Sequence, residues 1–343
     1  MITSTNFLQK TSPWTNPDFL TSFITSQPNI FGSGAIQNLS KATSALSKLI
    51  HLTIAEFDTV YPTELELAKD LMDAGLLHNA RKCEKCSCKM ALRNRKGTVE
   101  WRCRRSNKTD CSSKSIKAGS FFSESKLSLK QAMKFIIMWI TECSGPQIEL
   151  QLKLSKTTIC DWRQFLRGIC TRIVNSYPPI GGSGKVVEIG ESVIQARKHA
   201  KVTTLNEEYI LVLGGIERGT HRIWMHTVPN RTKETFNATI GKHVDKESTV
   251  ITNMFPAFDD LGKMCNRHEM LNQSIESYRF TEDGLEVSTG LIENAWTRLK
   301  SNGSADNTLD SYLDEFVVRQ WEGGQFFMTV LVEIQSCKTD YRN

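Results

Sequence analysis

Four cysteines carry the first recognisable chemistry. Cys83, Cys86, Cys103 and Cys111 lie in the segment CEKCSCKMALRNRKGTVEWRCRRSNKTDC as C-x2-C, sixteen intervening residues, then C-x7-C. Two knuckles that each bring thiolates together, separated by the length of a short hairpin, supply the four-sulfur tetrahedral set that structural zinc prefers. The second knuckle is wide, and Cys88 is a candidate to replace one of the four. Ordinary buried thiols are one alternative. A redox-active C-x2-C is another, though no thioredoxin-like βαβ pattern surrounds this one.

A second stretch, KVVEIGES at 185–192, reads as a buried strand and then sets Gly190 between two acids. Glycine is the residue least suited to a strand, so its presence there calls for a reason. Glu188 lies on the same strand face, about 6 to 7 Å along the chain from Gly190, while Glu191 points to the other side. Further on, VITNM holds Asn253 and the helical stretch GLIENAWTRLK holds Glu293; on that helix Ile292, Ala295, Trp296 and Leu299 pack inward. Asp259 and Asp260 lie on a short helix with no evident reason to reach the same place. The histidines His199, His221, His226, His243 and His268 show no metal-ligand spacing.

These groups need elements to position them. Residues 1–60 contain 24 Ser, Thr, Asn and Gln against three Lys and three acids, and read as a flexible tail. PTELELAKDLMDAGLLH, capped by Thr63, forms a short helix leading into the cysteines. TVEWRC is a strand, SIKAGSFF reads as another, and LSLKQAMKFIIMWITEC is a helix from about Ser128 to Cys143. In SGPQIELQLKLSKTTICDWRQFLRGICTRIV, Ser155 caps a helix whose apolar positions Ile159, Trp162, Leu166, Ile169 and Ile173 recur at three and four. IELQLKL before it also alternates as a strand would. A short element, a break at Leu154 and Ser155, and a capped helix with Lys156, Arg163 and Arg167 on its outer face are what a helix-turn-helix needs to enter a DNA groove. Thr157 and Thr158 join these cations as candidate DNA contacts. Past NSYPPIGGSGK come three strands, then helix, strand, short helix, strand and two closing helices, a mixed α/β order that is also that of the RNase H-like fold.

Charge supports a polyanion partner. Residues 81–175 hold 21 Lys and Arg against 7 Asp and Glu, a balance of +14 in a chain whose net charge is +6, leaving −8 elsewhere. A segment so lopsided suits nucleic acid. No apolar run approaches the roughly 18 residues needed to span a bilayer, and the start MITSTNFLQKTSPW lacks a signal-peptide layout, so a soluble intracellular protein is expected. Ten cysteines without a secretion signal favour reduced thiols and metal ligation over disulfides.

The ordered set of the C-x2-C ribbon, SIKAGSFF, TTICDWRQFLR, VVEIGES, LGGIERGT, VPNRTKETF, VITNMFPAF, LIENAWTRLK and YLDEFVVRQ resembles the Merlin-type DDE transposases and their bacterial insertion-sequence relatives over roughly residues 62–320. The resemblance implies a first catalytic Asp in a pattern like EIDES, a second Asp in a pattern like ITD, and a Glu in IE-x-x-W. Here these positions carry Gly190, Asn253 and Glu293, so one carboxylate of three remains. Where a VNHS-like stretch is implied, the chain reads LNQS, with Gln273 for His. Such enzymes use two divalent ions, which activate the attacking oxygen and stabilise the leaving one. Magnesium is held mainly by carboxylate charge, which Gly190 and Asn253 lack.

The expected architecture is therefore a tail (1–60), a helix with a zinc ribbon (61–125), a helical DNA-binding region (126–178), an RNase H-like transposase-derived domain (179–325) and a C-terminal extension (326–343). The expected function is nuclear binding of double-stranded DNA, as a homodimer or larger homo-oligomer, with structural zinc and no strand cleavage. Two alternatives remain: an active transposase using Mg or Mn at an atypical site, and a protein-interaction module built on the zinc ribbon.

Overall fold

The computed structural model describes residues 36–95, 97–104, 110–195, 209–301 and 309–337. The chain divides into two units, Met1–Leu166 with Gly324–Asn343, and Arg167–Gly323. Among the described residues no helix is long and apolar enough to cross a membrane.

In the first unit the polar N-terminal stretch is not all tail. Residues 1–35 and His199 lie outside the described residues, but α1 (Ile36–Ile50) and a one-turn α2 (Phe57–Val60) are helical. Ala42, Ala45, Leu46 and Leu49 recur at intervals of three and four and are buried, as are Phe57 and Tyr61. Thr43 is buried among them while Ser44 is exposed, so hydroxyl residues stand both in and outside the stripe and composition conceals it. Helix α3 (Glu64–Asp73) begins at Thr63 with a capping box closed by Glu66. It packs against α1.

The cysteine segment forms an antiparallel sheet of β1 (Ala91–Arg95), β2 (Thr98–Arg104) and β3 (Asp110–Ser115), in that order. SIKAGSFF is therefore not a strand beyond Ser115. Gly119 adopts a φ of +72°, and Ser120 Oγ donates to Lys117 O at 2.6 Å and accepts from Phe122 N at 3.2 Å, so local turns outcompete sheet pairing. Next come α4 (Leu129–Ile140), α5 (Gly145–Leu152) and α6 (Lys156–Val174). The alternating IELQLKL is helical: Ser144 and Gln147 form a capping box at the start of α5, and Ile148 and Leu152, one turn apart, are buried. Ser155 Oγ accepts from Thr158 N at 3.2 Å to start α6. The segment expected as a C-terminal extension holds α10 (Phe326–Ser336), a helix of this same unit whose Phe326 ring meets Trp139.

The second unit is built on β4 (Val186–Gln195), β5 (Tyr209–Glu217), β6 (Ile223–Val228), β7 (Thr249–Asn253) and β8 (Arg267–Leu271), in the spatial order β6-β5-β4-β7-β8. The first three pair antiparallel, and β7 and β8 run parallel to β4. The helix needed for the parallel crossover is α7 (Lys233–His243). Alternation along β4 sends Val187 and Ile189 into one core with Phe236 and Phe258. The other face meets α8 (Gly290–Ser301) and α9 (Leu309–Glu322) through Ile292, Trp296, Leu313 and Val317.

What anchors α8 to the sheet is a buried acid. Glu188, 1% exposed, accepts from Arg218 Nε at 2.7 Å and from the backbone N–H groups of Leu291 and Ile292 at 2.8 and 3.3 Å. Those N–H groups lie in the first turn of α8, where the helix dipole favours an anion. The rest of the Arg218 fork donates to Glu286 O, Ser288 O and Ser288 Oγ, on the segment that leads into α8.

Two outcomes follow for stability. Leu46→Ala should cost about 2 to 5 kcal/mol in urea unfolding, whereas a flexible tail would give no change. Glu188→Ala strands Arg218 and the helix start, and should cost about 3 kcal/mol in the same measurement.

Candidate functional site

The three positions that the resemblance aligns with a catalytic triad are carried by β4, β7 and α8 of the second unit. β4 and β7 pair in parallel from Val186 with Thr249 to Glu188 with Ile251, and Gly190 and Asn253 each lie two residues beyond the last of these pairs. Glu293 is on the first turn of α8, the helix held by Glu188. Of these three positions only Glu293 carries a carboxylate.

Gly190 pairs across the sheet with Gly214, and Trp296 of α8 lies over both. A Cβ at position 190 would stand 3.3 Å from Trp296 Nε1 and 3.3 Å from Ile292 Cγ2, a tight contact that a small shift relieves. One at 214 would meet Trp296 Cη2 at 2.8 Å and the Trp224 carbonyl oxygen at 2.9 Å, which no small shift relieves. Close packing therefore requires glycine at 214 and only favours it at 190. Trp296 is 2% exposed and its indole N–H makes no hydrogen bond. A buried donor without an acceptor costs about 1 to 3 kcal/mol, and this one faces the position where the strand lacks a side chain.

Asn253 is half-buried, with Oδ1 enclosed and unbonded. Glu293 is exposed. Gln273 Nε2 donates to Thr289 Oγ1 at 2.7 Å and stands 3.5 Å from Glu293 Oε1. Nearby acids are engaged elsewhere. Glu188 is committed to Arg218 and the helix start, and Glu191 lies on the opposite face with Arg231 Nε at 3.2 Å. Burial raises the Glu191 carboxyl above its ordinary range, with Arg231 opposing. Asp259 and Asp260 pair with Lys233 at 3.5 and 3.7 Å. Among the described residues, the four cysteines are the one group of three or more side chains placed to share a metal ion.

That second site is in the first unit. The Sγ atoms of Cys83, Cys86, Cys103 and Cys111 all lie within 4.8 Å of one another. Cys83 and Cys111 are 3.7 Å apart and Cys86 and Cys103 3.4 Å. A tetrahedron with metal–sulfur bonds of about 2.3 Å has edges near 3.8 Å. The first knuckle is shaped by backbone: Cys83 N donates to Cys88 O at 2.9 Å, Ser87 N donates to Cys83 O at 2.8 Å, and Ser87 adopts a φ of +57°. Cys88 is exposed and outside the group. The Ser112 hydroxyl, with the knuckle amides of Lys85 and Cys86, draws the Cys83 thiol down to about 6, while Cys86 and burial push Cys103 up to about 12. Bare thiols this close cannot all ionise together, and a dication removes that conflict, so the donor set fits such an ion.

The residues read as DNA contacts fall into two groups. Lys156 and Thr157 are exposed at the start of α6, and Thr158 joins the cap through its hydroxyl, 2.9 Å from Ser155 Oγ. The two arginines are not on an open cationic face. Arg163 is half-buried and its Nη2 donates to Cys143 O at 2.8 Å. Arg167 is 5% exposed, stacks 4.0 Å over the Tyr312 ring and donates through Nε to Ser311 Oγ at 3.1 Å. A guanidinium suits such stacked, hydrogen-bonded burial, and helical spacing alone could not reveal the ring that Tyr312 supplies. Sequence reading also missed the anchoring by Glu188 and Arg218, because their partners lie 30 to 104 residues apart in the chain.

Two comparisons bear on these sites. Male abnormal protein mab-31 of Caenorhabditis elegans is 29% identical over 139 residues, covering 35% of this chain and 32% of that protein. The chain thus spans about a third of the length of the curated relative it matches. The second comparison covers the five-stranded unit and the helices that close it: residues 179–320 match the ISXO2-like transposase domain.

Proposed function

We propose that this protein is a transposase-derived DNA-binding protein whose catalytic triad is degraded, acting in the nucleus on double-stranded DNA. The observation that carries the reading is the pairing of an intact frame with missing donors. Gly190 and Asn253 each lie two residues beyond the last paired positions of adjacent parallel strands, and neither has a carboxylate. Phosphodiester transfer of this class needs two divalent ions held by such carboxylates. The unbonded Trp296 indole N–H beside Gly190 supports the loss of an acceptor there. Glu188 and Glu191 are each held by an arginine, so neither is a ready substitute.

DNA binding would fall to the first unit, with the cysteine sheet as a zinc ribbon and α5 and α6, three residues apart, as a helix-turn-helix. Zinc, when bound, would tie the first knuckle to β2 and β3 by neutralising the four thiolates. Lys156 and Thr157 are its exposed candidates at the head of α6.

Strong chelator should strip a single zinc per chain and unfold the cysteine sheet, and Cys103→Ser should lower zinc content; metal analysis with near-UV circular dichroism reads both. Supercoiled plasmid incubated with Mn2+ should stay intact with the starting protein and be nicked by a Gly190→Asp, Asn253→Asp double variant. Nicking by the starting protein that disappears in Glu293→Gln would overturn the reading in favour of an active transposase with an atypical metal site.

A further inference from the structure

The cations of the first unit differ in availability. Arg163 is spent on a carbonyl group. Arg81 and Lys114 share Glu84, at 3.8 and 2.9 Å, and Arg102 pairs with Glu100 at 3.4 Å. By contrast, Lys82, Lys85, Lys89, Arg93 and Arg95 are exposed, and none makes an ion pair or hydrogen bond through its side chain. All five belong to the first cysteine knuckle and β1.

Their placement forms a surface. Along β1, Ala91, Arg93 and Arg95 alternate onto one face, opposite Arg102, Glu100 and Thr98 of β2, and Arg102 in turn faces Ser113 of β3. Trp101 and Cys103 lie on the other face, buried toward the sulfur cluster. The sheet therefore has one face committed to the cysteines and one polar, cationic face. Successive cations on one side of a strand stand about 6.6 Å apart. Ser113 also lines a cleft of about 240 Å3 between the knuckle and β3, together with Arg81, Lys82, Lys85, Lys114 and Ser112. Glu84 is the single acid in that lining, set against four cations.

We propose that the phosphate backbone of duplex DNA is held by this sheet, one phosphate seated in the Lys82–Lys85 cleft and others along Arg93 and Arg95, and not by the arginines of α6. The proposal rests on the DNA-binding reading above and assigns it a surface. A concave site with unpaired ammonium groups and hydroxyls suits a tetrahedral anion, and the extended row beside it suits a linear polyanion over a single small ligand. Such contacts position a duplex without reading its sequence.

The test is fluorescence anisotropy with labelled duplexes of two unrelated sequences, using the zinc-loaded full chain across a salt series. Lys82→Ala, Lys85→Ala, Arg93→Ala and Arg95→Ala combined should weaken both duplexes equally, by ~100-fold or more at 0.1 M salt, and reduce the slope of log K against log salt by about 3 to 4. Zinc content and unfolding midpoint should match the parent, since all four side chains are exposed and unbonded. Lys156→Ala alone should change affinity less than about threefold. Parent-like affinity and slope in the fourfold variant would overturn the assignment while leaving DNA binding itself standing. Failure of the parent to bind either duplex at low salt would overturn both.

Discussion

The second unit depends on one buried carboxylate. A charge taken out of water survives only if its lone pairs are filled by good donors, and Glu188 has three: the Arg218 guanidinium and two N–H groups opening α8. Because two of those donors are backbone, the acid fixes where the helix begins and which way it faces. Ile292 and Trp296 are thereby set over Gly190 of β4, and Trp296 also over Gly214 of β5. The anchor does not involve the side chains at 190, 253 or 293, so substitutions there leave it in place.

Gly190 has two physical explanations that coexist. Trp296 lies over the Gly190–Gly214 pair, so close approach favours a residue without a side chain. Yet the two glycines differ. At 214 a Cβ would strike backbone, whereas at 190 it would press on an isoleucine methyl and an indole nitrogen that already lacks an acceptor. Packing alone would thus admit an aspartate at 190 for a few tenths of an ångström of movement, and the indole N–H would gain a partner. The requirement for glycine is structural at one position and permissive at the other.

Local patterns made much of this legible in the sequence. Cysteine spacing located the sulfur cluster, and period-two and period-3.6 runs located the strands and helices of the five-stranded unit in order. What stayed hidden depends on other parts of the chain. The buried stripe of α1 is made partly of Ala42 and Ala45, too small to stand out among hydroxyl residues. SIKAGSFF has strand-like composition, but Ser120 and Gly119 favour turns that composition does not weigh. Arg167 follows helical spacing onto a face that happens to meet Tyr312.

Charge shows the same division. A balance of +14 in the middle of the sequence belongs to the segment as a whole and does not say which side chains stay exposed. Folding sorts those cations into ones spent on carbonyls, rings and carboxylates and ones left exposed. An arginine already stacked and hydrogen-bonded must break those contacts before it can reach a phosphate, which offsets the gain from counterion release. An exposed lysine or arginine has no such contacts to lose. Five such cations, Lys82, Lys85, Lys89, Arg93 and Arg95, lie on the knuckle and β1, with the cysteine cluster buried on the opposite face of the sheet. A pre-ordered row of unpaired charge gives up less on meeting a polyanion than one whose side chains must first be freed from other partners.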